Sequence, residues 1–340
     1  MSSSKNIIIC LDGTWNKPDE GRHEENKETN VRNLWELLEK DKPKEQVVYY
    51  DEGVGSHWYD RIRGGVSGRG LSKNIREAYY EVCRHYVEED KVSIFGFSRG
   101  AYTARSLAGM IYSCGVIPKE KLTDNSIEEA FEVYKKADKP TRAEYKSKNI
   151  TCEIEIVGVW DTVGALGIPV GFLKKYSNKF LQFHDTKINR EIRHAYHALA
   201  IDEQRETFRP TLWHVRESNA HQEIEQVWFA GVHSDVGGGY RQRAHSDIAF
   251  RWMIDKIRDK VLLDDSTYPY SADATREIHD SYKIYYGGKE RRVASATEVY
   301  TPCVHASVLE KIQKVPNYRA LALVDIEDRA TLAPYRVVHD

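Results

Sequence analysis

The stretch KVSIFGFSRGAYTARSLAGMIYS, residues 91–113, decides how the rest of the chain is read. Its first seven residues, KVSIFGF, are strand-length and apolar on both faces. From Arg99 to Ser113 the apolar residues recur at helical spacing instead. Ser98 therefore falls at a strand-to-helix turn, with Gly96 and Gly100 two positions to either side. In a G-x-S-x-G turn of this kind the serine is held in a strained conformation that lifts its hydroxyl above the sheet edge. The flanking positions must be small so that strand and helix can approach. The helix N-terminus points at the same spot, where its free N–H groups stabilise developing negative charge. The blander alternative is a packing turn with Ser98 as a helix N-cap; the strand before it and the helix after it favour a nucleophile.

Outward from this turn, short apolar runs alternate with helix-like segments. Residues 6–11, 46–50, 151–160 and 226–232 are rich in Val, Ile and aromatics, as central strands of a covered parallel sheet are. Residues 31–40, 71–89, 101–113 and 127–136 carry apolar residues at helical spacing, and 246–260 reads as a further helix with Ser246 as N-cap. Strand and helix in alternation give an α/β fold: α/β-hydrolase-like, a mostly parallel central sheet with helices on both faces. Residues 169–187 and 256–292 have mixed charge and weak periodicity and read as irregular insertions, and 334–340 reads as a surface tail. Without a repeat or a Pro/Ser-rich linker, residues 1–340 read as a single domain.

Bulk properties narrow the function classes. Of the 340 residues 41% are hydrophobic and 30% charged, an ordinary core-forming mixture, and a formal net charge of −2 points to no nucleic-acid partner. No apolar run approaches the ~18 residues of a membrane span, and the run before Asp12 is too short for a secretory leader. Five scattered cysteines, Cys10, Cys83, Cys114, Cys152 and Cys303, form no C-x-x-C pair and imply neither a disulfide framework nor a zinc site. The expectation is a chain of reduced, buried thiols folded in the cytoplasm, with no metal and no organic cofactor.

A serine nucleophile needs a base, and the base needs an orienting acid. Asp161 ends the run EIEIVGVW, and His233 follows QVWFAGV and opens HSDVGGGY. Both stand at carboxyl ends of parallel strands, where open α/β sheets place their ligands. The order Ser, Asp, His is also the one α/β hydrolases use. Asp235 with His305 is the rival pair. Each residue also has a structural reading: Asp161 as a helix cap, His233 as a buried hydrogen-bonded histidine, Asp235 as a support for its glycine-rich loop, His305 as a cap for the helix near Ser307.

LDGTWN, residues 11–16, follows the first strand. An oxyanion would be met by the N–H of Arg99, next to the nucleophile, and by the N–H of Gly13 or Thr14. A tight Asp-Gly turn without chemistry is the alternative, and Asp12 lacks the grouped carboxylates of a phosphatase. GGVSGRG, residues 64–70, precedes a helix and could cradle phosphate, but it is not a Walker motif. A packing loop at the rim of the site is the better reading, with Arg61, Arg63 and Arg69 able to meet an anionic headgroup.

Taken in order, LDGTWN, GRGLSKNIREAY, GFSRGAYTAR, VGVWDTVG, HALAIDEQRETFRPTLW and VWFAGVHSDVGGGY resemble an α/β-hydrolase-like domain family of bacterial and fungal proteins. That family includes the first class of type VI secretion phospholipase effectors. The resemblance runs from about Ile7 to Ile254. It implies a Ser-Asp-His triad, carried over to Ser98, Asp161 and His233, and an acyl-enzyme route to ester hydrolysis, as a lipase or phospholipase. It leaves open a phospholipid substrate with peripheral membrane contact, and, beside the cytoplasmic expectation, export as an effector by a non-classical route. Rival expectations are a thioesterase or small-ester esterase and a non-catalytic subunit of a larger complex on the same scaffold.

Overall fold

The computed structural model describes residues 4–13, 28–53, 68–163, 188–205, 208–215, 219–281, 301–320, 322–323, 328 and 330–340. Thr14 and the segment 169–187 lie outside these residues, as do 282–292 of the second expected insertion.

The architecture follows from strands that are apolar on both faces. In β1 (Asn6–Leu11), Ile7, Ile9 and Leu11 join one core while Ile8 and Cys10 join another on the opposite side. A strand buried this way needs cover above and below, which only a sheet between helical layers supplies. Among the described residues seven further strands join the sheet: β2 (Gln46–Asp51), β3 (Lys91–Phe97), β4 (Ile154–Trp160), β5 (Ile192–Ala200), β6 (Glu223–Phe229), β7 (Cys303–His305) and β8 (Arg336–Val338). Their order is β2-β1-β3-β4-β5-β6-β7-β8, and every neighbouring pair is parallel.

On one face lie α2 (Gly68–His85), α3 (Arg99–Cys114) and α4 (Asp124–Lys136), packing Ile75, Tyr79, Leu107, Ile111 and Ile127 against Ile94 and Val157. On the other, α1 (Asn30–Leu37) and α7 (Ala244–Ile257) press Leu34, Phe250 and Trp252 onto Phe95, Ile156 and Tyr196. The short α5 (Lys139–Ser147) follows α4, and α6 (His233–Gly237) follows β6. A third apolar cluster joins Leu199, Trp228 and Val304 to Val308 of α8 (Ala306–Lys314) and to Leu332. This is an α/β-hydrolase-like fold, a parallel sheet with helices on both faces.

One expectation changes. Residues 334–340 are not a loose tail: Arg336, Val337 and Val338 pair in register with Cys303, Val304 and His305 and extend the sheet. Strand β5 was hidden because its sequence, IRHAYHALA, mixes histidines and an arginine into the run. Residues 258–281 lack helix or strand, yet place Val261 and Ala274 in the core. Among the described residues no helix is long and apolar enough to cross a membrane.

Candidate active site

The parallel order brings the carboxyl ends of β3, β4, β5 and β6 side by side, and the site is built on the turns that leave them. At the end of β3 the chain turns into α3 through Ser98, whose φ of 59° and ψ of −118° lie in a region that non-glycine residues avoid. The glycines explain how this turn closes. A Cβ on Gly96 would stand 2.6 Å from the Gly100 carbonyl oxygen, and one on Gly100 would stand 2.0 Å from that of Leu11. Either contact would force β3, α3 and β1 apart. The Ser98 N–H is held by the Trp160 carbonyl at 3.1 Å, which ties the turn to β4.

Asp161 leaves the end of β4 with φ 33° and is fully buried. Its N–H donates to the Ala198 carbonyl at 2.7 Å, and its Oδ1 accepts from the Ala200 N–H at 3.1 Å. The carboxylate is thus aimed before it meets its side-chain partner. His233 opens α6 directly after β6. Its Nδ1 lies 2.6 Å from Asp161 Oδ2 and its Nε2 lies 2.8 Å from Ser98 Oγ. An ionised carboxylate can only accept, so Nδ1 carries the proton and Nε2 is left to accept from the serine hydroxyl. The ring is walled by Phe97 at 4.6 Å and by the edge-on Phe208 at 4.8 Å between centroids. Burial drives the imidazole's pKa below its ordinary value of 6.5, with Asp161 pulling the other way. The ring is therefore neutral at pH 7.

The other candidates part company. Asp235 Oδ1 lies 2.6 Å from His279 Nδ1, and its Oδ2 accepts from the Val232 and His279 N–H groups. His305 caps α8, its Nδ1 accepting from the Ser307 N–H at 3.2 Å, and its Nε2 lies 3.1 Å from Asp340 Oδ1. The structure does not bring Asp235 and His305 together as a pair beside Ser98. At the proposed oxyanion position, the Arg99 N–H belongs to the first turn of α3, where amides lack an intrahelical partner. Its guanidinium is pushed down to about 10 by burial. Gly13 abuts Ser98, since a Cβ there would be 3.1 Å from Ser98 Cβ, but its N–H donates to Asp12 Oδ1 at 2.6 Å. Asp12 Oδ2 in turn accepts from Thr29 Oγ1 at 2.6 Å and from the Tyr50 hydroxyl at 2.8 Å. This carboxylate shapes the loop and occupies the amide expected to face an oxyanion.

Residues not anticipated as part of the site come from the segment after β5. Glu203, fully buried, accepts from the His233 N–H at 3.1 Å and from the Arg205 guanidinium through both oxygens, each at 2.8 Å. Arg205 lies 3.6 Å over the Phe208 ring. On α3, the Arg105 guanidinium reaches the Thr211 and Leu212 carbonyls and stacks 5.0 Å over Trp213, holding the same segment from below. An acidic pair directly after a strand end, as in LAIDEQR, was the available signal.

Residues 5–256 match the family described as "T6SS, Phospholipase effector Tle1-like, catalytic domain". The chain belongs to this family. A Saccharomyces cerevisiae protein described as uncharacterized is 28% identical over 237 residues, which cover 61% of this chain. The chain spans 32% of that relative's length. Among solved structures, similarity extends to an uncharacterized Pseudomonas aeruginosa protein (18% identity, TM-score 0.47, covering 79% of this chain and 47% of that one). It extends also to the Tle1 effector bound to the VgrG spike of the type 6 secretion system (19%, TM-score 0.40, 70% and 51%). A third neighbour is a butyrate-bound esterase from Thermogutta terrifontis (13%, TM-score 0.41, 77% and 86%). The family match ends at residue 256, so β7, α8 and β8 lie beyond it.

Proposed function

We propose that the protein is a serine ester hydrolase whose substrates are lipid esters, phospholipids foremost. The observation that carries this reading is the continuous hydrogen-bonded line Ser98–His233–Asp161, with both links at 2.8 Å or less, standing beside the first turn of a helix. Membership of a phospholipase-effector-like catalytic-domain family supports the lipid class of the ester.

In this mechanism neutral His233 takes the Ser98 proton on Nε2 as Oγ bonds to the ester carbonyl carbon. Asp161 keeps the imidazole in its tautomer and stabilises the imidazolium. The Arg99 N–H and the α3 N-terminus face the oxyanion. His233 then returns the proton to the departing alcohol oxygen, leaving acylated Ser98. A water that loses its proton to His233 releases the acid and restores the serine. No step calls for a metal or an organic cofactor.

The test is labelling by a fluorophosphonate probe together with hydrolysis of a phospholipid and a short soluble ester. The expected outcome is labelling at Ser98 alone, and loss of label and of turnover in Ser98→Ala with an unchanged thermal melt. A folded protein that takes no label and hydrolyses neither ester supports a non-catalytic scaffold instead. Turnover of the short ester without the phospholipid would narrow the substrate to small esters.

A further inference from the structure

The turn that presents His233 is held in an uncommon way. Three successive backbone amides each donate to a carboxylate: Gly231 to Asp202 Oδ2 at 2.7 Å, Val232 to Asp235 Oδ2 at 3.1 Å, and His233 to Glu203 Oε2 at 3.1 Å. Of these three, only Glu203 takes the amide of the histidine itself. It is also the one locked in a two-pronged ion pair, with Arg205, whose own amide adds a bond to Oε1 at 2.9 Å. A fully buried glutamate without a cation would be prohibitively desolvated; the fork of Arg205 is what lets a negative charge stand there.

From this arrangement we propose that Glu203 is a positioning residue for the base, and that the Glu203–Arg205 pair sets the pH range over which His233 works. The proposal rests on His233 being the base. Glu203 fixes the His233 backbone, so that the ring meets Ser98 and Asp161 together. Electrostatically the two members act oppositely. The carboxylate favours the imidazolium form, and the guanidinium, which also pins Phe208 against the ring, disfavours it. Among the described residues, the charged groups facing the ring are Asp161 from the end of β4 and this pair from beyond β5. Asp235 lies within α6, turned toward His279. Phe97 and Ser98 contribute no charge.

The sign of each change is fixed. Removing the Glu203 charge takes a negative charge from beside the ring, and the His233 pKa falls. Removing the Arg205 charge takes a positive one away, and it rises. The experiment uses the full chain and reads two quantities: the His233 ring titration by NMR of histidine-labelled protein, assigned with His233→Gln, and the acid limb of kcat/KM on a soluble ester. Glu203→Gln is expected to move both to lower pH, and Arg205→Gln to higher pH, each by about half a unit to one unit. The double variant removes both charges of the pair together and is expected to fold where the single ones do not. Its titration should return to within about 0.3 of wild type. Shifts in the same direction, or no shift with activity merely reduced, overturn the tuning role; if both singles unfold, a double variant displaced by a full unit does so. If the NMR titration shifts as stated while the acid limb does not follow, the pair tunes His233 but the reading of His233 as base has failed.

Discussion

Asp161 separates geometry from chemistry most sharply. Its two oxygens have divided duties, one to the Ala200 amide and one to His233. Asp161→Asn keeps the shape but can donate to Nδ1, which favours the wrong imidazole tautomer. We expect kcat to fall about 10⁴-fold with little change in stability, measured on a soluble ester beside a thermal melt. Ser98→Ala and His233→Ala should be comparably inactive and the double variant no worse, because the residues act as a unit. Additive losses would separate them. The depressed His233 pKa gives a further expectation: the base is neutral above that pKa, so kcat/KM should hold as pH falls to 6.5 and decline only below it. An acid limb centred above 6.5 would contradict this. At this scale the sequence told which residue types stood at strand ends, and so offered Asp161 and His233 beside Asp235 and His305. It could not tell which histidine faces Ser98, because that depends on how far β6 and β7 stand from β3. Nor could it tell that Asp12 binds the Gly13 amide, since a carboxylate beside a glycine reads as an ordinary turn.

Elements, more than residues, were what the sequence spelled out. β1, β3 and β4 advertise themselves as mostly apolar runs because both of their faces are buried, and β6 does so in its second half, QVWF. β5 does not, because its polar residues have local employment. His197, fully buried, accepts from the Thr162 N–H at 3.1 Å. His194 lies 2.9 Å from Glu223 at the far end of the strand. With β5 unread, the Asp202–Glu203 pair at its end was unread too. β7 and β8, three residues each, are too short for any periodicity to register. The strand-turn-helix element at Ser98 was legible because its glycines are obligatory. Gly100→Val should therefore fail at the level of the element: its side chain would enter the backbone at Leu11, the end of β1, and at Asp12 just beyond it. We expect loss of soluble, cooperatively melting protein, with a cost of several kcal/mol, beyond the ~1–3 kcal/mol usual for an overpacked core. A folded, active Gly100→Val would refute the close approach described here.

Across the whole molecule, the segment beyond residue 256 is joined to the family core by a buried amine. Lys311 of α8 is 2% exposed. It lies 3.3 Å from His245 Nε2 on α7 and donates to the Ala274 carbonyl at 3.0 Å and to that of Arg276. Nearby, Tyr318 donates to Asp202 at 2.9 Å, so the C-terminal elements also touch the carboxylate behind the histidine turn. Lys311→Ala would leave these acceptors buried without their donor. A loss of about 1–3 kcal/mol in urea unfolding is expected, with the kcat of the folded protein little changed. An unaltered midpoint would mean that the C-terminal elements are held by their apolar contacts alone.

The inward-turned amides of Gly231, Val232 and His233 have one more consequence, in the time domain. Turns in most proteins trade their amide hydrogens with solvent within moments, since water reaches them without any unfolding. Here each N–H is bonded to a carboxylate in the interior, so exchange must wait for the carboxylates to let go, and two of those carboxylates hang from the end of β5. In deuterium oxide these three positions should keep their hydrogens about as long as the amides of β6 itself, and lose them together with it, in a single cooperative opening. Rapid labelling of the turn while β6 stays protected would show that the histidine's perch moves independently of the sheet.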